Sequence, residues 1–165
     1  MNRQLTPRRL ALAASVVSAL WLAGCGSTGS VPGQLSGASA DVGSGPVPPA
    51  SSASSARAYR GDAARHVYEA NRSRIYKGQL PPVLYAVGTL EVNIDASGKV
   101  RSMHWLRAPK HAPEVIADIE RTVLKASPFP PATRLGSVTW TDTWLWDRSG
   151  RFQLDTLTEG QQQGD

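Results

Sequence analysis

Cysteine is almost absent from this chain, because Cys25 is the only one among 165 residues. A single cysteine cannot form an internal disulfide, so the fold must be stabilised by its core. Long apolar runs are also lacking, since Leu10–Leu22 is shorter than the roughly 20 residues that span a membrane. No internal repeat is visible. These absences favour one small domain without covalent cross-links.

A pattern of catalytic side chains is lacking too. The histidines at 66, 104 and 111 are scattered, and the serines cluster in the stretch 26–56. No glycine-rich phosphate loop or metal-binding spacing occurs. His104 and Trp105 lie on opposite faces of a predicted strand, so the side chain of His104 is expected to point outward. We therefore predict a protein that is not an enzyme, with no cofactor, no metal and no small-molecule substrate.

The charge balance is weak support for nucleic acid as a partner. The formal net charge is +5, from 18 lysines and arginines against 13 aspartates and glutamates. Arg3, Arg8 and Arg9 precede the apolar run and would be lost with a cleaved signal peptide, which leaves 15 against 13. We expect no nucleic-acid partner for so nearly balanced a protein.

The N-terminal segment has the organisation of an export signal. Positive residues precede the charge-free run Leu10–Leu22, and the sequence Leu22-Ala23-Gly24-Cys25 closes it. This tetrapeptide resembles the lipobox of bacterial lipoproteins, in which the cysteine receives a diacylglyceryl group and becomes the new N-terminus. The resemblance implies a signal peptide over residues 1–24 and a lipid anchor at Cys25. An ordinary secretory signal and a short uncleaved anchor are the alternatives.

The lipid anchor sets the expected location. One acyl chain holds a protein at a membrane only marginally, whereas several chains hold it almost permanently. By resemblance to lipoprotein sorting, Gly26 rather than aspartate after Cys25 implies the outer membrane. We expect the protein at the periplasmic face of that membrane.

Residues 25–56 predict a tether. They consist mostly of glycine, serine, alanine and proline, and Asp41 carries the only charge. So little apolar surface cannot offset chain entropy, which predicts disorder. A flexible chain of this length spans about 30 Å, enough to lift a domain off a membrane surface.

The stretch 57–157 has the length and the patterning of one small domain. A helix is predicted from Ala63 to Lys77, with Asp62 as its cap. A hairpin follows, made of an alternating strand Leu84–Asp95, a turn with Gly98 at positive φ, and a return strand Val100–Leu106 with a bulge near Arg101 and Ser102.

The second half of the domain predicts a helix, two strands and a tail. The helix runs from Pro113 to Lys125, the strands are Val138–Asp147 and Arg151–Thr156, and the polar tail 158–165 is expected to be disordered. Two helices cannot cover both faces of so small a sheet. The predicted fold class is therefore α+β, a small antiparallel sheet of three to four strands packed against two helices, with one open face. The predicted order is helix, strand, strand, helix, strand, with an optional fourth strand.

Several of these segments resemble the TonB/TolA C-terminal domain. They are Gly88–Asp95 with Gly98-Lys99-Val100, the helix end Ala126–Pro131, and the aromatic-rich strand that follows. The resemblance implies a periplasmic domain without catalytic residues that binds envelope proteins, often by adding its sheet edge to a strand of the partner. The matching edge is that of the strand Val138–Trp146. The predicted strand Arg151–Thr156 would pair with this edge here, which argues against the family's usual binding mode.

The chain is also expected to depart from that family, because the apolar run Leu10–Leu22 is too short for an uncleaved inner-membrane helix and the sequence offers no long rigid spacer. A domain on a flexible tether cannot transmit force from a proton-driven motor. The expected function is therefore a lipid-anchored adapter that binds an envelope protein within envelope or transport complexes. The alternative is a structural or outer-membrane-assembly lipoprotein.

One face of the strand Val138–Asp147 offers a test of these functions. If the helices cover it, its tryptophans are core, and if it is exposed, it forms a partner-binding surface with two nearby arginines. Asp142 lies on the same face and argues against complete burial. The candidate partner-binding residues are Trp140, Trp144, Trp146, Arg148 and Arg151.

Overall fold

The computed structural model describes residues 46–164, so the predicted signal peptide, Cys25 and the tether up to residue 45 lie outside it. The elements are α1 (Ala56–Ala70), a 3₁₀ turn (Arg72–Arg74), β1 (Ala86–Ile94), β2 (Val100–Arg107), α2 (Pro113–Lys125), β3 (Val138–Trp146), β4 (Phe152–Leu154) and a second 3₁₀ turn (Asp155–Leu157). A small antiparallel sheet of four strands with two helices confirms the α+β class.

The sheet has the strand order β2-β1-β3-β4, and all three pairings are antiparallel. Alternate residues of β1 and β3 are buried with apolar residues of both helices, such as Val67 of α1 and Ile119 of α2. The opposite face carries polar pairs, for example Thr89 with Thr143 at 3.1 Å between hydroxyls. Both helices therefore cover one face, and the core lies between them and the sheet.

Helix α1 begins earlier than the sequence predicts. Ser55, not Asp62, is the N-cap, because its Oγ accepts a hydrogen bond from the N–H of Ala58 at 3.2 Å. The first turn is anchored by Tyr59, which is fully buried and donates its hydroxyl to the carbonyl of Pro130 at 2.7 Å. Asp62 lies within the helix, and the helix ends at Ala70 rather than at Lys77. The burial of Tyr59 therefore explains why the helix is capped by Ser55 and not by Asp62.

The segment before α1 also differs from the prediction of a tether that reaches residue 56. Ser51 and Ala53 are buried, at 6% and 8% exposure. The N–H of Ser51 donates to the carbonyl of Pro131 at 2.9 Å, and Ser51 Oγ donates to Asp62 at 2.5 Å. Small residues of low apolar content are held here by backbone and hydroxyl bonds, a contribution that composition does not reveal.

The β1–β2 hairpin follows the predicted alternation and contains the predicted bulge. Asn93 pairs with Ser102 and Ile94 with Val100, which leaves Arg101 as the extra residue. A second irregularity between Thr89 and Leu90 was not predicted. His104 is exposed, as its phase on β2 predicts.

The turn of this hairpin is organised by Asp95 and Gly98. The carboxylate of Asp95 accepts from the side chain and N–H of Ser97, and from the N–H of Lys99. These hydrogen bonds, first the one from the Ser97 hydroxyl, lower the pKa of Asp95 to about 2. Gly98 has φ +85°, as predicted, and its carbonyl accepts from the N–H of Phe129 at 2.7 Å.

The polar tail predicted to be disordered is instead paired as far as Gln162. The N–H of Leu80 donates to Gly160 at 2.9 Å, and the N–H of Gln162 donates to Leu80 at 2.8 Å. Gln153, at 1% exposure, adds a clamp, because its amide accepts from the N–H of Glu159 at 3.1 Å and donates to the carbonyl of Gly78 at 2.8 Å. Backbone pairing to a buried segment orders a stretch that has almost no apolar side chains.

Candidate functional site

The three tryptophans of β3 are core residues. Trp140, Trp144 and Trp146 are only 1%, 1% and 2% exposed. Phe152 packs against two of them, at 5.0 Å from the ring of Trp144 and stacked at 5.3 Å on Trp146. The hypothesis that these tryptophans form an exposed binding surface is therefore wrong, since a partner has no access to them. The helices cover them as they cover the rest of that face.

The two arginines of the same hypothesis lie outside the core. Arg148 and Arg151 are both exposed. The guanidinium of Arg148 lies 5.7 Å from the ring centroid of Tyr85, and Arg151 immediately precedes β4. The structure thus separates the arginines from the tryptophans with which the sequence grouped them.

The histidines lie in three different parts of the domain. His66 Nε2 is 2.6 Å from the carbonyl of Ala126, His111 Nε2 is 2.9 Å from the carbonyl of Tyr85, and His104 points outward from β2. Within residues 46–164, no group of three or more His, Cys, Asp or Glu side chains is placed to hold a metal ion. In the same range, no helix has the length and apolarity to cross a membrane.

The most distinctive surface is the edge of β3 that faces away from β1. β1 pairs with β3 along its whole length, whereas β4 pairs only with Trp144–Trp146. Among the described residues, no strand pairs with Val138–Thr143 on that side. The predicted strand Arg151–Thr156 is therefore shorter than expected and leaves much of the edge open.

The structure shows why β4 ends so early. The N–H of Leu154 donates to the hydroxyl of Tyr68 at 2.9 Å, and the chain then turns into the 3₁₀ turn Asp155–Leu157. The N–H of Thr156 donates to the carboxylate of Asp142 at 3.3 Å instead of to the backbone of β3. A side chain of β3 thus takes the place of strand pairing.

The open edge presents backbone groups from alternate residues. The N–H of Asp147 donates across to Arg151 at 2.9 Å, so odd-numbered residues of β3 turn their N–H and C=O groups toward the β4 side. The N–H of Thr143 is taken by Asp142 Oδ1 at 2.9 Å. The backbone groups of Thr139 and Thr141 therefore face the open edge, ready to pair with an extended chain.

Asp142 is the buried charge of this site. Its side chain is 0% exposed, and its Oδ1 accepts from Arg60 at 2.9 Å in addition to the two N–H groups. Oδ2 of Asp142 and Nε of Arg60 are buried without a partner in the described part of the chain. The hydrogen bond to Asp142 raises the pKa of Arg60, which keeps the guanidinium charged beside the carboxylate. A second carboxylate, Asp155, lies 3.4 Å from Arg60.

A groove of about 540 Å³ runs along this edge. One wall is the outward side of β3, and the other is the first turns of α1. Its lining residues are Ala56, Arg57, Arg60, Thr89, Thr139, Thr141, Asp142, Thr143 and Asp155. The groove has a polar floor with hydrogen-bonding backbone on one side, a geometry suited to an extended peptide.

The other free edge of the sheet, β2, is less regular. Two shifts interrupt its register with β1, and its exposed residues include Arg101 and Arg107. Bulges and positive charges are the features by which natural proteins make an edge unsuited to pairing. The open stretch of β3 is therefore the better edge for a partner strand.

Sequence reasoning did not identify the residues that form this site. The sequence marks Asp142 only as a carboxylate on an apolar strand face, and no local pattern distinguishes Arg60. The available signal is the charge of Asp142 at a strand position that alternation predicts to be buried, since a buried charge requires a partner.

Comparison with protein-family models, with curated proteins and with solved structures gave no match.

Proposed function

We propose that this protein is a lipid-anchored binding module of the cell envelope, which takes an extended segment of an envelope protein onto the open edge of β3. The observation that supports it is the unpaired stretch Val138–Thr143 beside the groove at α1. Such β-augmentation is the mode implied by the resemblance to the TonB/TolA C-terminal domain. The role is that of an adapter or accessory and not of a force-transmitting component.

The dimensions of the edge support this proposal. Strand residues rise about 3.3 Å each, so the stretch Val138–Thr143 offers a length of about 20 Å. Thr139 and Thr141 contribute two N–H and two C=O groups, and each bond formed there contributes about 0.5–1.5 kcal/mol. Affinity from these bonds alone is modest, so side chains of the partner that enter the groove beside the exposed Arg57 and Asp155 supply the specificity.

A photo-reactive residue at Thr139 tests the proposed edge. In the native host, we expect this residue to capture one dominant envelope protein, because Thr139 is exposed on the open edge. The matched position is His104, which is exposed on the opposite edge strand and is expected to capture no such product. Equal capture at both positions would contradict the proposal, and no capture at either would favour the structural alternative.

Proline at the next edge position provides an independent variant. Thr141→Pro removes the N–H that faces the open edge, and it removes no bond to β1 because that N–H points away from β1. We expect capture from Thr139 to fall at least about tenfold, while the domain stays folded. Thr141→Val keeps the N–H and serves as the control. Loss of capture in both variants would point to the hydroxyl rather than to strand pairing.

The proposed anchor rests on the lipobox alone and has its own test. We expect labelled fatty acid to be incorporated into the wild-type protein and not into Cys25→Ser, because Cys25 is the only thiol of the chain. The variant is also expected to leave the membrane fraction after cell breakage, since an exported chain without acyl groups has no anchor. Membrane retention of the unlabelled variant would support the uncleaved anchor instead.

A further inference from the structure

A second concave surface lies on another part of the domain, where the 3₁₀ turn Arg72–Arg74 meets the start of β4. Its volume is about 370 Å³. Its lining residues are Arg72, Ser73, Ile75, Tyr76, Lys77 and Arg151. Three of these six side chains are cationic and none is acidic, although they come from two segments distant in sequence. We refer to this surface as the basic groove.

The cations of the basic groove have no acidic partner in the described chain. Within residues 46–164, no ion pair or side-chain hydrogen bond is formed by Arg72, Lys77 or Arg151. The neighbouring Arg74 is different, because it contacts Asp118 at 3.4 Å and lies 5.0 Å from the ring of Trp146. Arg74 is therefore a structural residue, while the other three concentrate positive charge around an open space.

The backbone that carries these cations is held in place. Ile75 forms a bridge with Phe152, and the N–H of Tyr76 donates to the carbonyl of Phe152 at 2.9 Å. The buried amide of Gln153 donates to the carbonyl of Tyr76 at 2.9 Å. These bonds fix the segment that bears Lys77 against the strand that follows Arg151. The groove thus needs little reorganisation to receive a ligand.

We propose that the basic groove binds a phosphate group. Guanidinium groups form bidentate hydrogen bonds with phosphate oxygens, and an ammonium adds a point charge. A phosphate monoester, with a charge near −1.5 to −2, balances three cations better than a single carboxylate does, and a phosphodiester carries one charge on oxygens that a guanidinium can bind in a bidentate manner. Tyr76 and Ser73 also line the groove, and their hydroxyls are groups that hydrogen-bond phosphate oxygens. Anionic lipid headgroups and soluble phosphate compounds share this chemistry, and the site is separate from the β3 edge.

Binding is tested on the full chain in neutral detergent micelles, with inorganic phosphate as one probe and phosphatidylglycerol doped into the micelles as the other. The readout is the NMR signals of the arginine side chains. We expect saturable shifts at Arg72 and Arg151. The variant Arg72→Gln/Lys77→Gln/Arg151→Gln is expected to weaken binding at least about tenfold.

A control variant removes the same charge elsewhere. Arg107→Gln/Lys110→Gln/Arg134→Gln changes three exposed cations outside the groove and is expected to bind within about twofold of wild type. A groove-dependent response to inorganic phosphate supports soluble phosphate groups, and one to phosphatidylglycerol alone supports lipid headgroups. Equal weakening in both variants, or no saturable shift with either probe, would overturn the proposal. Both variants are expected to stay folded, because all six positions are exposed, and melting temperatures measure this.

Discussion

Gly98→Ala is expected to lower the free energy of unfolding by more than about 4 kcal/mol, enough to unfold a domain of ordinary stability. A Cβ at residue 98 would lie 2.0 Å from the carbonyl oxygen of Phe129 and 3.0 Å from its carbonyl carbon. These are backbone atoms, which cannot move aside as the end of a flexible side chain can. The φ of +85° adds the strain of a left-handed conformation. Urea unfolding followed by tryptophan fluorescence measures the loss.

Gly150 provides the matched control for this substitution. Its φ is +77°, and a Cβ there would have nothing within 4 Å. Gly150→Ala is therefore expected to cost only about 1–2 kcal/mol, the strain of the left-handed conformation by itself. Similar losses for the two variants would show that the contact between the hairpin turn and Phe129 does not constrain the fold.

Trp144→Ala is expected to cost about 3–5 kcal/mol of stability. The ring is 1% exposed and lies between Trp140, at 6.5 Å, and Phe152, at 5.0 Å between centroids. Its removal leaves a cavity between the sheet and the helices. It also removes a packing partner of Phe152, which belongs to the short strand β4. Near-ultraviolet circular dichroism and urea unfolding together measure the loss of packing and of stability.

The control for this prediction is Leu106→Ala on β2. Leu106 is 55% exposed, so its truncation is expected to change stability by no more than about 0.5 kcal/mol. If Trp144→Ala instead kept near-wild-type stability and lost a captured partner, the tryptophans would act at a surface and the assignment to the core would fail. The crosslink at Thr139 distinguishes these two interpretations, because Thr139 is exposed on the open edge and contributes no aromatic ring to the core.

The ion pair between the buried Asp142 and the partly exposed Arg60 links the core to the proposed binding edge. A buried carboxylate is tolerated only when it is paired and hydrogen-bonded, and here Asp142 also accepts the N–H groups of Thr143 and Thr156. In doing so it directs the chain after β4 away from β3. The same carboxylate therefore pairs with the partly exposed Arg60 and, by accepting from the N–H of Thr156, leaves the edge of β3 free.

The sequence by itself determined the local elements whose signals are dense. The alternation from Ala86 to Ile94, the turn with Gly98 and the helix Pro113–Lys125 all follow from side-chain period, turn chemistry and proline placement. The bulge at Arg101 followed from a change of phase in the apolar residues. Nothing in the described residues bears on the lipobox at Cys25, which stays a prediction of the sequence.

Only the tertiary structure decided which groups are buried and which edge is open. Ser55 is the cap of α1 because Tyr59 is buried, and the tail is ordered because Leu80 offers it a backbone partner. The Asp142 site unites α1, β3 and the turn after β4, so no local window of sequence contains it. Hydrogen bonds between segments distant in the chain have no periodic signature, and they decide here where a partner has access.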